Sequence, residues 1–225
     1  MTPEHPSHQA AVRVVVRPIA SPLTLGFLAL AVGTFTLAGL ELSWVPATQG
    51  TYAGLAVMVF VFPLQGLSSV YGFLARDSIA GTGMGLLSGA WLVTGLITFL
   101  GHGKAAGGLG LFLLGVATVL LVPATVGLAN KPLASTVMVG AALRFYLTAG
   151  YELSAASEWK YAGAAEGLVL AALAVYAALA FELEDNRLRT ALPTVRRGQA
   201  RRALSGSMDD ELARVYHEAG VRKQL

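Results

Sequence analysis

Arg144 is the one charged side chain in the run PLASTVMVGAALRFYLTAGY, residues 132–151. Its guanidinium is permanently charged and presents a planar fork of donors that matches a carboxylate bidentately. A charge at the centre of a bilayer costs about 2.5–3.5 kcal/mol on insertion scales, so it requires a partner, a water-filled cavity or a bound anion. A second isolated charge, Glu166, lies in the last apolar run. At a helical rise of ~1.5 Å per residue, Arg144 sits roughly 10 Å below the end of its run and Glu166 roughly 8 Å below the start of the next. The short link between these runs makes them neighbours. Three readings of Arg144 stay open: a structural ion pair with Glu166, a pathway residue that attracts carboxylates, or a charge that snorkels outward or faces another subunit. The first two are compatible, because a pathway pair can exchange its internal carboxylate for a substrate one.

Little else in the chain could do chemistry. There are no cysteines, which removes disulfides, thiolate nucleophiles and Cys-based metal sites. His5 and His8 lie in a polar N-terminal stretch and lack the spacing of a metal site. No phosphate loop, metal-spaced His/Glu cluster or nucleophile triad is visible, so we expect no enzyme activity, no metal and no cofactor. His102 and Lys104 are loop residues that could gather anions, and Glu41 and Glu152 sit at span ends, where carboxylates snorkel or cap.

The elements that must position Arg144 follow from composition. The chain has 225 residues, of which 55% are hydrophobic and only 13% charged, with a mean hydropathy of +0.62. Soluble domains carry about 25% charged residues. Six runs, at 22–40, 51–75, 79–101, 106–128, 132–151 and 161–182, approach the ~20 residues needed to cross a bilayer. This predicts an all-α integral membrane protein with a six-helix bundle over 21–183, a cytoplasmic N-terminal segment over 1–20 and a cytoplasmic basic tail over 184–225. The N-terminal segment lacks the apolar core of a secretory signal. Short breaks make consecutive helices antiparallel neighbours. Arg13, Arg17, Arg76, Lys131 and the basic tail fall on one side, and Lys104 and Lys160 on the other. The positive-inside rule then places both termini in the cytoplasm.

Within the spans, Pro63 and Pro123 each remove a backbone hydrogen bond and can kink a helix. Gln65, Ser68 and Ser69 follow Pro63 and can either line a wet path or satisfy themselves within the bundle. Gly81, Gly85 and Gly89 form one smooth face for close helix packing. In the tail, the basic stretch through Arg202 suits anionic lipid headgroups. Ser207, Asp209, Asp210 and Glu211 read as the start of a short amphipathic helix bearing Leu212, Val215, Tyr216 and Ala219.

The heptad Ser21-Pro22-Leu23-Thr24-Leu25-Gly26-Phe27 resembles the Asn-Pro-Ala-Pro-Leu-Gly-Leu signature of the acetate uptake transporter family. Gly72, the Arg76-Asp77 break, Gly81, Gly85 and Ser88-Gly89-Ala90-Trp91 are similar to that family's second-to-third span junction. Arg189-Thr190-Ala191-Leu192-Pro193 resembles its Arg-Thr-Val-Leu-Pro past the last span. The resemblance covers roughly residues 18–195 and identifies the chain as a divergent member, with Ser21 and Thr24 where the signature has Asn and Pro.

The resemblance implies a homohexamer in the cytoplasmic membrane, in contact with lipid and with no nucleic-acid partner. Each subunit would hold a pathway for acetate and similar small carboxylates, passive or proton-linked. It implies a cytoplasmic mouth at Ser21, Pro22, Leu23, Thr24, Leu25 and Gly26, with the family's span 2 glutamine at Gln65 or near Ser68. The apolar and aromatic narrow point falls at Leu30, at Ser88 or Ala90 with Trp91, and at Leu143 or Gly140, which puts Arg144 beside it. Two other readings keep the bundle and change the output: a urea/amide-type channel for neutral solutes, and a membrane sensor or scaffold acting through its tail.

Overall fold

The structure is a computed structural model, and it describes residues 19–101, 105–187, 192–198 and 201. His102, Lys104 and the amphipathic segment expected beyond Ser207 lie outside the described residues. Helices α1 (Pro22–Glu41), α2 (Gly50–Ala56), α3 (Phe62–Leu74), α4 (Ser78–Gly101), α5 (Gly107–Gly127), α6 (Pro132–Ser154) and α7 (Ser157–Arg187) follow in order, and no strand occurs among the described residues. A 3-10 turn (Ala47–Gln49), α2, a π turn (Val57–Val61) and α3 together make the second span. Six helical segments are long and apolar enough to cross a membrane. Large apolar side chains such as Val59, Phe60, Leu111, Val122 and Val169 are exposed around the outside, as lipid-facing or subunit-facing helices require.

The sequence explains the local breaks. Pro22 and Pro132 occupy first turns, where the missing N–H has no intrahelical partner to lose. Pro63 follows the π turn, whose wider hydrogen-bond spacing lets the second span continue past the lost donor. The ends of α1 and α3 close alike: Trp44 N–H bonds Gly39 O and Asp77 N–H bonds Gly72 O, both at 2.9 Å. The left-handed position falls on Ser43 in one and Arg76 in the other, which makes both Schellman-type ends without glycine. Spans 5 and 6 are longer than the hydropathy suggests, so that only Ala155 and Ala156 link α6 to α7.

The spans close a ring. α1 packs on α3, α3 on α4, α4 on α5, α5 on α6, α6 on α7, and α7 back on α1. Glycines set the closest approaches. A Cβ on Gly72 would lie 2.6 Å from Gly81 N, and one on Gly54 would lie 2.6 Å from Gly95 O, so the second span and α4 touch backbone to backbone near both ends. Of the predicted smooth face, Gly81 receives Phe73 and Gly85 receives Ser69, while Gly89 faces open space. α1 and α6 are the most enclosed spans, 67% and 61% buried. The end of the ring holding the start of α1 is called the near end below, and the opposite end the far end.

The expected boundary at residue 184 cuts through a helix. α7 runs to Arg187, and Glu184 is buried. Segment 192–198 returns onto the bundle: Thr194 is buried, Arg196 pairs with Glu184 at 2.6 Å and stacks over Phe181, and Arg197 N–H bonds Asn130 O.

Candidate functional site

Arg144 faces the interior and is only 4% exposed. Its Nη2 donates to Glu41 Oε2 at 2.7 Å. Glu41 is the last residue of α1, so the pair ties the two most enclosed spans together at the far end. The seat for the guanidinium is cut into α7. A Cβ on Gly163 would lie 2.7 Å from Arg144 Nη1, and one on Gly167 would lie 3.2 Å from Nε and 3.3 Å from Cζ. These glycines are one helical turn apart, so the guanidinium lies against a strip of bare backbone and reaches across α7 to α1.

The expected Arg144–Glu166 pair is therefore corrected: the hydrogen-bonded partner is Glu41. Glu166 lies about 100° around α7 from Gly167, on a flank of the seat. It stays within electrostatic range of Arg144, and its Oε2 is buried without a hydrogen-bond partner among the described residues, as is Arg144 Nη1. The expectation for Leu143 is corrected too. Its neighbours Ala142, Arg144 and Phe145 are the residues of this turn that are buried. Leu143 is 48% exposed on the outside of the bundle.

Beyond Glu41 a cleft of about 70 Å³ opens at the far end, room for roughly five waters or one small solute. Leu37 and Glu41 come from α1, Thr94 and Thr98 from α4, Tyr151 and Glu152 from α6, and Lys160 from α7. Glu152 Oε2 accepts the Ala106 N–H at 2.6 Å and so caps the start of α5. Lys160 is within electrostatic range of Glu41. The sequence reading missed Thr94, Tyr151 and Lys160 as a group. The available signal was that all three lie at the far ends of their spans, at similar height.

In the middle of the ring, Leu30 and Trp91 are buried. The Trp91 ring comes within 2.9 Å of where a Cβ on Gly33 would lie, so α1 and α4 close here through a glycine and an indole. Ser88, expected beside this point, turns its hydroxyl to Phe62 O at 2.9 Å, on the second span.

At the near end, the heptad forms the first turns of α1. Ser21 N–H donates to Asp185 Oδ2 at 2.8 Å, a partner on the last helix that the sequence reading missed. Leu23 is buried and Leu25 half-buried. Gln65 Nε2 donates to Gly26 O at 3.1 Å, and Ser68 Oγ donates to Pro22 O at 2.5 Å. A Cβ on Gly26 would collide with Met84 Sδ and would lie 2.8 Å from Ser68 Oγ. Thr24 Oγ1 and Gln65 Oε1 are buried without partners among the described residues. The structure thus brings Pro22, Gly26, Gln65 and Ser68 together, and separates them from Arg144 and Glu166 by the Leu30–Trp91 layer.

Chemically, the near-end cluster of Pro22, Gly26, Gln65 and Ser68 offers neutral hydroxyl and amide groups, with the charges of Asp185, Glu184 and Arg196 at the same end, and the far end offers an arginine, a lysine and carboxylates. Among the described residues, no group of three or more His, Cys, Asp or Glu is arranged to hold a metal ion.

No protein-family model matches the chain, and no curated protein matches it. A search of solved structures finds a similar one, described as the structure of the bacterial acetate channel SatP. The likeness has a TM-score of 0.70 at 18% sequence identity and covers 79% of this chain and 99% of that one. The chain is a multi-pass helical membrane protein with the fold of that acetate channel.

Proposed function

We propose that this chain is a divergent member of the acetate uptake transporter family and moves acetate and similar small carboxylates across a membrane. The observation that carries the reading is the likeness of fold to an acetate channel over nearly all of that channel's length. It is supported by the cluster of Pro22, Gly26, Gln65 and Ser68, which gathers the heptad that carries the family resemblance.

In this reading the near end is the cytoplasmic mouth, with both termini on that side of the cytoplasmic membrane, and the subunits assemble as a homohexamer. Thr24 and Gln65 present unpaired oxygens to the interior. A hydroxyl can donate to a carboxylate, and an amide oxygen can accept from a protonated acid. Leu30 and Trp91 form the dry layer between the mouths. Arg144 supplies positive potential on the far side of that layer, and Glu41 keeps it from holding an anion too tightly, since conduction requires release as well as entry.

The test is solute flux in proteoliposomes of the purified full chain at varied pH, with labelled acetate, succinate and acetamide. Acetate flux above protein-free vesicles is expected. Acetamide flux without acetate flux would sink the carboxylate reading in favour of a neutral-solute channel, and a pH-dependent acetate rate accompanied by proton uptake would identify proton linkage.

A further inference from the structure

We infer that the far-end cleft is a binding site for a single carboxylate, held by Thr94 and Lys160, whose acidic wall of Glu41 and Glu152 selects monocarboxylates against dicarboxylates. The inference rests on the carboxylate reading above and specifies its substrate class.

Thr94 is the first observation. It lines the cleft, is 6% exposed, and its Oγ1 has no hydrogen-bond partner among the described residues. Several helical threonines in this chain return their hydroxyl to their own helix: Thr34 to Leu30 O, Thr118 to Leu114 O and Thr148 to Arg144 O, all within 2.9 Å. A buried hydroxyl left unpaired costs about 1–3 kcal/mol. A hydroxyl that forgoes its own helix and lines a cavity is suited to a ligand.

Charge is the second. The cleft has one lysine, Lys160, and two carboxylates, Glu41 and Glu152. Glu41 is already neutralised by Arg144 at 2.7 Å, whereas Glu152 is held by a neutral backbone N–H. Lys160 makes no salt bridge among the described residues and is the cation left to meet an entering anion. With Glu41 matched by Arg144, Lys160 and Glu152 leave the cleft near neutrality, so a monocarboxylate seated on Lys160 and Thr94 adds a single net negative charge and a dicarboxylate adds two. A second carboxylate on the same solute would have to sit in a space of about 70 Å³ against Glu152 and Glu41, where like charges repel strongly in a partly desolvated site.

The experiment measures concentration-dependent uptake of labelled acetate and succinate into proteoliposomes by the full chain and by Thr94→Val, Thr94→Ser, Lys160→Met and Glu152→Gln. Thr94→Val keeps the side-chain shape and should raise the half-saturating acetate concentration about tenfold or more, the effect of one lost hydrogen bond to a charged group. Thr94→Ser should restore it, and Lys160→Met should raise it at least as far. Glu152→Gln keeps an acceptor for Ala106 and should raise succinate uptake relative to acetate several-fold. Unchanged acetate half-saturation in both Thr94→Val and Lys160→Met, or an unchanged succinate-to-acetate ratio in Glu152→Gln, overturns the site while leaving conduction standing. Absence of acetate uptake by the unmodified chain overturns both readings.

Discussion

At the near end, α1 is fastened to the second span by Gln65 and Ser68 through hydrogen bonds between neutral groups, whereas at the far end it is fastened to α6 by the Glu41–Arg144 ion pair. The near end carries charges as well, Asp77 with Lys131 in the loops and the buried Glu184 of α7 with Arg196, but none of them fastens α1 to the second span. The far-end pair is enclosed by helices. Neutral hydrogen bonds contribute about 0.5–1.5 kcal/mol each and can be lost singly. A desolvated ion pair behaves differently: it adds little over an apolar replacement, yet removing one partner strands the other. The two fastenings of α1 should therefore respond to substitution in opposite ways, the ion pair being brittle and the neutral hydrogen bonds tolerant.

The largest effect is expected from Arg144→Met. It leaves Glu41 without its cation and should cost about 3–5 kcal/mol, read as a large fall in the thermal unfolding midpoint of the detergent-solubilised protein. The double variant Arg144→Met/Glu41→Met should recover most of that loss, because no charge is left stranded. Arg144→Met/Glu166→Gln should recover far less, since Glu166 takes no hydrogen bond from the guanidinium. Equal recovery by the two doubles would break the distinction drawn between Glu41 and Glu166.

The next effect isolates the seat rather than the charge. Gly163→Val introduces a Cβ at 2.7 Å from Arg144 Nη1. Overpacking of this kind costs about 1–3 kcal/mol and should also loosen the α6–α7–α1 contact. Gly89→Ala, with open space around its Cβ, is the control and should leave the unfolding midpoint within error. If the two variants unfold alike, the bare strip on α7 is not what positions the guanidinium.

These cases show what the sequence makes legible. The spans were readable because lipid imposes length and apolar composition on every crossing helix, and Arg144 was readable because it violates that composition. Its partner was not. Sequence proximity favours Glu166, across a link of only Ala155 and Ala156, while ring closure brings Glu41 from 103 residues away. Ring closure depends on which helix faces match, and these helices are apolar on all sides, so no stripe announces the match. Leu143 failed for a related reason: a motif alignment places a residue at a height, but the helical turn of about 100° per residue decides its direction. The near-end cluster was more legible, since the Ser21–Gly26 heptad and Gln65 were picked out by motif and polarity and the structure brings them together. Thr94 was missed because a threonine in a membrane helix ordinarily satisfies itself; its failure to do so, beside a cleft, sets it apart.

At the near end the effects should be smaller and fall on conduction more than on stability. Gln65→Leu removes the donor to Gly26 O and should cost about 1 kcal/mol, a modest shift in the unfolding midpoint. The same change removes the buried Oε1, unpaired among the described residues, beside the proposed mouth, so acetate flux should fall more than stability does. A loss of stability as large as that of Arg144→Met would erase the contrast between the brittle ion pair and the tolerant neutral hydrogen bonds that fasten α1.

The smallest effect is expected from Ser68→Ala. It deletes the hydroxyl that donates to Pro22 O, but that carbonyl belongs to the first turn of α1 and can still accept from its own helix, so neither partner is left buried and unpaired. The lost oxygen also relieves the tight approach of Ser68 Oγ to Gly26, 2.8 Å from where a Cβ would stand. Loss of one neutral hydrogen bond and gain of slack should nearly cancel, giving a change within about 1 kcal/mol. The relief should be visible in combination: Gly26→Ala alone drives its methyl into both Met84 and Ser68, and adding Ser68→Ala should recover part of that loss. Strict additivity of the two substitutions would mean that Met84 alone limits the approach of α1, and that the serine at this end serves only as a fastening.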